Sequence, residues 1–185
     1  MTKRLLNLPN LLTASRILIL PLLAIAMQFH RGEIAFVIFV IACITDFLDG
    51  WIARRERQES PVGKLMDPVA DKMLVSLVII FLTASPEHQL NPWLGSLLLG
   101  REFLVSGLRS MAATLGLVIP AGGVGKSKMI SQMVGLGLMM LSGVPLKIPH
   151  THEAGNFFLW LSVVLSYWSM ALYLKNAYKA LKTKL

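Results

Sequence analysis

Four aspartates, Asp46, Asp49, Asp67 and Asp71, fall within 26 positions of a chain that has only ten acidic residues in all, and the segments flanking them are apolar. Asp46 and Asp49 are spaced i, i+3, and Asp67 and Asp71 i, i+4, so on helices each pair shares a face. The connecting segment, Arg54 to Lys64, is short and polar, which predicts an antiparallel hairpin with all four carboxylates at one depth. Carboxylates so close repel one another, and near hydrocarbon each is costly unless something positive sits among them. Divalent cations meet that need. Hard oxygen ligands of this kind suit Mg²⁺ or Mn²⁺, which often act as a pair on phosphoryl groups, stabilising the attacking and leaving oxygens. Helix capping and pairing with Arg54, Arg55 and Lys72 account for one or two of the aspartates, but not for four in register on two helices.

Small residues accompany the acids. Gly50 and Ala53 follow the first pair on the same face and Gly63 precedes the second, leaving room for a ligand to approach backbone at the helix ends. Arg54 stands where a diphosphate needs a partner, because its fork matches phosphate oxygens. The stretch reads as a site for a nucleotide diphosphate with metal ions.

The elements that must position these residues are set by composition. Of 185 residues 55% are hydrophobic and only 15% charged, and the mean hydropathy is +0.63, too apolar for an ordinary soluble domain. A bilayer-spanning helix needs about 20 mostly apolar residues. Six such stretches are present, Pro9 to Phe29, Ile34 to Ala53, Leu65 to Ala84, Trp93 to Leu115, Met129 to Val144 and Asn156 to Leu174. The expected fold is an all-α integral membrane protein with six transmembrane helices. It forms one domain over 1–185, with a short amphipathic start (1–8) and a basic tail (175–185) suited to anionic lipid.

The net charge of +8 does not indicate nucleic acid, because its distribution follows the spans. Of the 18 Lys and Arg residues, Arg31 and Lys147 lie in loops on one side and Arg101 and Arg109 inside the fourth span; the rest gather at the opposite ends. That face is therefore cytoplasmic, with both termini on it. Ala24-Ile25-Ala26 imitates a signal-peptidase site, but Arg16 interrupts the preceding run and five further spans follow. Cys43 is mid-span and reads as a small buried hydrophobe. His30, His88, His150 and His152 fall in outer loops, and His150-Thr-His152 lacks a third metal ligand.

Written as spacing, the acidic stretch is Asp46-x2-Asp49-Gly50-x2-Ala53-Arg54-x8-Gly63-x3-Asp67-x3-Asp71. It resembles the complete signature of the CDP-alcohol phosphotransferases, and all eight specified positions match. The resemblance implies that Asp46, Asp49 and Asp67 hold two metal ions. Asp71 adjoins that metal site and acts as general base, while Gly50, Ala53, Arg54 and Gly63 lie around the CDP group with the first three aspartates. It also implies a six-helix membrane domain that forms a homodimer.

Two further regions bear on the acceptor alcohol. Arg101 and Arg109 lie two turns apart in an apolar span, where charges need a cavity to face. Lys126 and Lys128 follow a Gly-rich turn. Converging near the acidic hairpin, these four cations would bind a second phosphate; alternatively Arg101 pairs with Glu102 or Asp71, and the lysines are ordinary flank residues. Gly122 to Ser127 is not a P-loop, since Pro120 stands where the first glycine of that motif belongs and no strand precedes it.

Asn7 to Arg16, Asp67 to Lys72, Arg101 to Arg109 and Gly125 to Lys128 with Gln132 together resemble the phosphatidylglycerophosphate synthase branch of that family. The branch implies transfer of the phosphatidyl group from CDP-diacylglycerol to sn-glycerol 3-phosphate at the cytoplasmic face of the bacterial inner membrane, with Arg101, Arg109, Lys126 and Lys128 on the acceptor phosphate. One departure is Met129, where the branch is expected to carry threonine. Alternatives are a sibling enzyme of cardiolipin synthase or phosphatidylserine synthase type, a membrane prenyltransferase with paired acidic motifs, and a non-catalytic cation transporter or lipid-binding membrane protein.

Overall fold

The structure, a computed structural model, describes residues 8–56, 61–86, 90–114, 124–144 and 148–182, without the side chains of 8–16, 46–56, 61–68, 70, 71, 124–126 and 179–181. It is all-α among those residues: α1 (Leu8–Gln28), α2 (Gly32–Glu56), α3 (Pro61–Ala84), α4 (Pro92–Thr114), α5 (Val124–Ser142) and α6 (Thr151–Lys182). The six helices coincide with the six apolar stretches, and α2, α3, α5 and α6 run longer. α5 starts ahead of Met129 and takes Lys126 and Lys128 into its first turns, while α6 carries the basic segment from Lys175 onward as helix. Among the described residues one helix, Thr151–Tyr178, is long and apolar enough to cross a membrane; Ile17–Gln28, Gly32–Thr45 and Lys72–Ala84 are apolar helical stretches of 10–17 residues.

The chain divides into two compact units, Met1–Gln89 with Met140–Pro149, and Leu90–Met139 with His150–Leu185. In the first, α1 packs against α2 and α3. Leu20 and Leu23 of α1, Ala35, Phe39 and Ala42 of α2, and Leu74, Val78 and Leu82 of α3 are buried at the three- and four-residue spacing of a helix face. On the other faces Leu18, Leu22, Ile25, Val37, Ile41 and Ile44 are exposed, an apolar exterior that water does not favour and lipid does. The turn into α2 is closed by bonds from Arg31 N to Ala26 O (2.9 Å) and His30 N to Met27 O (3.2 Å), with His30 left-handed at φ 53°. This is the Schellman arrangement, and His30 occupies the position more often held by glycine.

In the second unit α4 packs against α6. Asn91 caps α4, its Oδ1 accepting from Trp93 N at 2.9 Å, and Pro92 takes the first helical position, where a missing N–H costs nothing. The buried face of α4 is Leu94, Leu98, Arg101, Val105 and Ala112, so an arginine occupies a place in an otherwise apolar stripe. α5 and α6 are clamped by two hydroxyls: Ser131 Oγ donates to Phe158 O at 2.7 Å and Ser162 Oγ to Lys128 O at 3.3 Å. Glycines bring the two backbones close. A Cβ on Gly135 would lie 2.8 Å from Leu159 Cγ, and one on Gly155 would lie 3.0 Å from Met139 N.

Candidate functional site

The acidic residues are carried on unbroken helices, Asp46 and Asp49 on α2 and Asp67 and Asp71 on α3. At 1.5 Å per residue, Asp49 and Asp46 stand about 10 and 15 Å along the axis from the last residue of α2, and Asp67 and Asp71 about 9 and 15 Å from the first residue of α3. Both pairs are therefore equally far along their helices from the connection, the register that a common depth requires. The side chains of these aspartates, of Ala53, Arg54 and Lys126, and the surroundings of Gly50 and Gly63, lie outside the described residues. The donor set suits a hard divalent cation, since it consists of carboxylates held in pairs by helical spacing. Thr45, just before them, turns its hydroxyl back on its own helix, donating to Ala42 O at 2.9 Å and Ile41 O at 3.0 Å.

Among the described residues no group of three or more His, Cys, Asp or Glu comes together. His150 precedes α6 in a left-handed conformation (φ 63°), and His152 lies within the first turn of α6 rather than in a loop. A small cleft lined by Met27, His30, Gly32, Ala35, Phe81, Ser85 and Met140 lies at the start of α2 and the end of α3, the helix ends remote from the aspartates. It contains no carboxylate and is not the metal site.

The basic residues of α4 and α5 are described more fully. Arg101 and Lys128 are both buried and meet on a single atom. Glu102 Oε1 accepts from Arg101 Nη1 at 3.1 Å and also from Lys128 Nζ. Glu102 is itself mostly covered, its side chain 19% exposed. Among the described residues two buried donors in the same region have no partner, Arg101 Nε and Gln132 Nε2. Gln132 stands one turn beyond Lys128 on α5 and is 4% exposed. Lys128 lies one residue before the fifth apolar stretch, and burial lowers its pKa below the ordinary lysine value; Glu102 opposes that shift, and Arg101 and Arg109 add to it. Arg109 differs from Arg101 in being exposed, and Met129 also faces outward, 42% exposed, away from the buried Lys128 beside it.

Arg101 and Lys128 are thus brought together, and the carboxylate between them is Glu102, which the charge pattern offered only as an alternative partner of Arg101. Its sequence signal was present: an acid beside an arginine inside an apolar run. Of the two alternative partners of Arg101, Glu102 is in contact and recruits Lys128 as well, while the side chain of Asp71 lies outside the described residues.

A family model described as CDP-alcohol phosphatidyltransferase matches residues 6–168, spanning the acidic helices and the Arg101–Glu102–Lys128 cluster. The chain belongs to the CDP-alcohol phosphatidyltransferase family. Its similarity to individual family members extends over nearly the whole length. It is 37% identical over 163 residues to a Rickettsia felis protein named CDP-diacylglycerol–glycerol-3-phosphate 3-phosphatidyltransferase, covering 86% of this chain and 89% of that one. Proteins of the same name from Pseudomonas fluorescens and Bacillus subtilis are 36% identical over 186 residues (96% of this chain, 93% of the relative) and 32% identical over 193 residues (96% and 98%). The residues matched include Asp46, Asp49, Asp67 and Asp71 on α2 and α3, and the buried Arg101 and Lys128 on α4 and α5.

Proposed function

We propose that this protein transfers the phosphatidyl group of CDP-diacylglycerol to sn-glycerol 3-phosphate, forming phosphatidylglycerophosphate and CMP. The observation that carries the reading is that relatives named for this reaction align along 86–96% of the chain, through both the acidic helices and the buried cations. We read it as a multi-pass homodimer of the bacterial inner membrane with its site and both termini on the cytoplasmic side. The membrane-length α6, the exposed apolar faces of α1 and α2, and the one-sided distribution of Lys and Arg support that placement.

Asp46, Asp49, Asp67 and Asp71 would hold two Mg²⁺ or Mn²⁺ ions, which when bound neutralise the diphosphate and the charge that develops on it. Gly50, Ala53 and Gly63 leave the CDP group access to backbone, and Arg54 pairs with its phosphate oxygens. Arg101 and Lys128, with Arg109 and Lys126, hold the phosphate of the acceptor. Asp71 takes the proton of the 1-hydroxyl, that oxygen bonds to the phosphatidyl phosphorus, and the bond from phosphorus to the CMP oxygen breaks. Orientation by two separate anion sites supplies much of the rate, because both reactants are charged and must meet with the hydroxyl in line.

The test is CMP release by purified protein in detergent with CDP-diacylglycerol and Mg²⁺, adding glycerol 3-phosphate, serine, phosphatidylglycerol or inositol phosphate separately. Release with glycerol 3-phosphate alone is expected. Release only with another alcohol would transfer the reading to a sibling acceptor. Pyrophosphate release in place of CMP would point to prenyl transfer, and binding or transport of cations with no CMP would mean a non-catalytic protein.

A further inference from the structure

We infer that Glu102 is a positioning residue of the acceptor site: its carboxylate assembles Arg101 and Lys128 into a preformed anion receptor before glycerol 3-phosphate arrives. This rests on the assignment of those two cations to the acceptor phosphate.

Three features set Glu102 apart from an ordinary ion-pair partner. Both cations converge on one oxygen, Oε1, although they come from different helices, α4 and α5. Two buried cations left alone repel each other; one shared carboxylate oxygen holds them together and leaves the cluster with a net charge of +1, still favourable to an anion. The contact to Arg101 is also one-pronged. An arginine held for stability commonly closes both prongs of its fork on a carboxylate, whereas here Glu102 is met by Nη1 and, among the described residues, Nε is buried without a partner. Gln132 Nε2, equally buried and unpartnered, lies one turn from Lys128. Donors left open beside a fixed pair of cations suit a ligand with several acceptor oxygens, as a phosphate has.

The frame around Glu102 is built to keep the geometry. Its own backbone carbonyl accepts from Ser106 Oγ at 2.7 Å. On the other side Ser162 of α6 fixes the backbone carbonyl of Lys128, and Ser131 ties the next turn of α5 to Phe158. Glu102 is the charged link from α4 to this clamped pair, so its loss releases both cations at once.

The experiment compares the full-length wild type in detergent with Glu102→Gln, Lys128→Ala and the double variant, following CMP release. Glycerol 3-phosphate is titrated at saturating CDP-diacylglycerol, and the lipid at saturating glycerol 3-phosphate. Hydrogen bonds to charged groups being the stronger kind, Glu102→Gln is expected to raise the KM for glycerol 3-phosphate at least about tenfold and that for CDP-diacylglycerol less than about twofold. In the Lys128→Ala background, with one of its two cations gone, the same change should raise the acceptor KM by less than about threefold. Equal effects on both substrates, no effect on the acceptor KM, or the same factor in both backgrounds would overturn the positioning role. Should Glu102→Gln not fold, Glu102→Asp carries the test: it retains the charge but withdraws it by one methylene, and an unchanged acceptor KM there refutes the inference. The acceptor assignment itself fails separately, if Arg101→Ala and Lys128→Ala both leave the acceptor KM at the wild-type value.

Discussion

Replacing Gly135 by alanine places a methyl carbon 2.8 Å from Cγ and Cδ2 of Leu159 and 3.0 Å from the Leu159 backbone nitrogen. Carbon atoms in contact prefer about 3.5–4.0 Å, so with the leucine side chain fixed the two helices must part by roughly 0.7 Å or more. Rotation of the leucine about χ1 can relieve the two side-chain contacts, but not the 3.0 Å approach to the backbone nitrogen, which moves with α6 itself. Overpacking of this kind costs about 1–3 kcal/mol, and removing a glycine from a helix interior returns about 0.5–1 kcal/mol. The net expectation is a loss of about 1–2 kcal/mol, or a Tm lower by about 2–8 °C for a chain of this size. Gly107→Ala is the control, because nothing lies within 4 Å of the Cβ it would add, leaving only the propensity gain. Thermal unfolding in detergent, followed by tryptophan fluorescence with Trp160 next to the contact, compares the two variants. Parting α5 from α6 also stretches the 3.3 Å bond from Ser162 to the Lys128 carbonyl, so the KM for glycerol 3-phosphate should rise in Gly135→Ala and not in Gly107→Ala. Equal melting temperatures for the two variants would refute the close approach of α5 and α6.

Asp71→Asn should abolish turnover while CDP-diacylglycerol binding, measured by calorimetry in detergent, stays within a few-fold of wild type; near-normal turnover would remove Asp71 from the role of base. Chelation of divalent cations should stop CMP release, and added Mg²⁺ or Mn²⁺ should restore it; undiminished release in excess chelator would refute metal assistance. Arg101→Leu should keep or raise the Tm, because it completes the apolar stripe of Leu94, Leu98 and Val105 and leaves Glu102 paired with Lys128, yet raise the acceptor KM at least about tenfold through the loss of charged hydrogen bonds. Arg109→Ala, at an exposed position, should raise the same KM by a smaller factor than Arg101→Leu, and the reverse order would put the main phosphate contact at Arg109.

The acidic pattern was legible because its information is one-dimensional. A three- or four-residue spacing on a helix is a face, and a hairpin turns two faces into one depth, so Asp46, Asp49, Asp67 and Asp71 need no tertiary detail to be found. The helices were legible for the same reason, though their ends were not. An apolar stretch measures where hydrocarbon is tolerated, whereas a helix continues until its backbone bonds stop, and α6 therefore runs past Leu174 to Lys182. Lys175, Lys179 and Lys182 recur there at four and three residues, positions that share one helix face. The pairing of Glu102 with Arg101 was legible as an alternative, but its contact with Lys128 was not, because that contact is three-dimensional. Charge order shows an acid beside Arg101, but only the packing of α4 against α6, and the clamping of α5 to α6 by Ser131 and Ser162, bring Lys128 to the same oxygen.

That cluster also bears on why the fold tolerates it. Arg101 stands in a stripe where leucine or valine would cost nothing, and buried donors without partners are destabilising by about 1–3 kcal/mol each. A chain selected for stability alone would not keep Arg101 Nε and Gln132 Nε2 unsatisfied when an apolar replacement was available at both positions. The compensation lies around the site: the Asn91 cap and Pro92 at the start of α4, the serine bonds between α5 and α6, and the glycine contacts that bring those two backbones together. Each of these contacts is local and satisfied, and each restrains a helix that carries a member of the cluster. Among the described residues buried polar atoms are also left open on α6, at His152 Nε2, Ser166 Oγ and Tyr173 Oη, but Arg101 Nε and Gln132 Nε2 are the ones that accompany the paired cations, where a charged ligand would supply the missing hydrogen bonds.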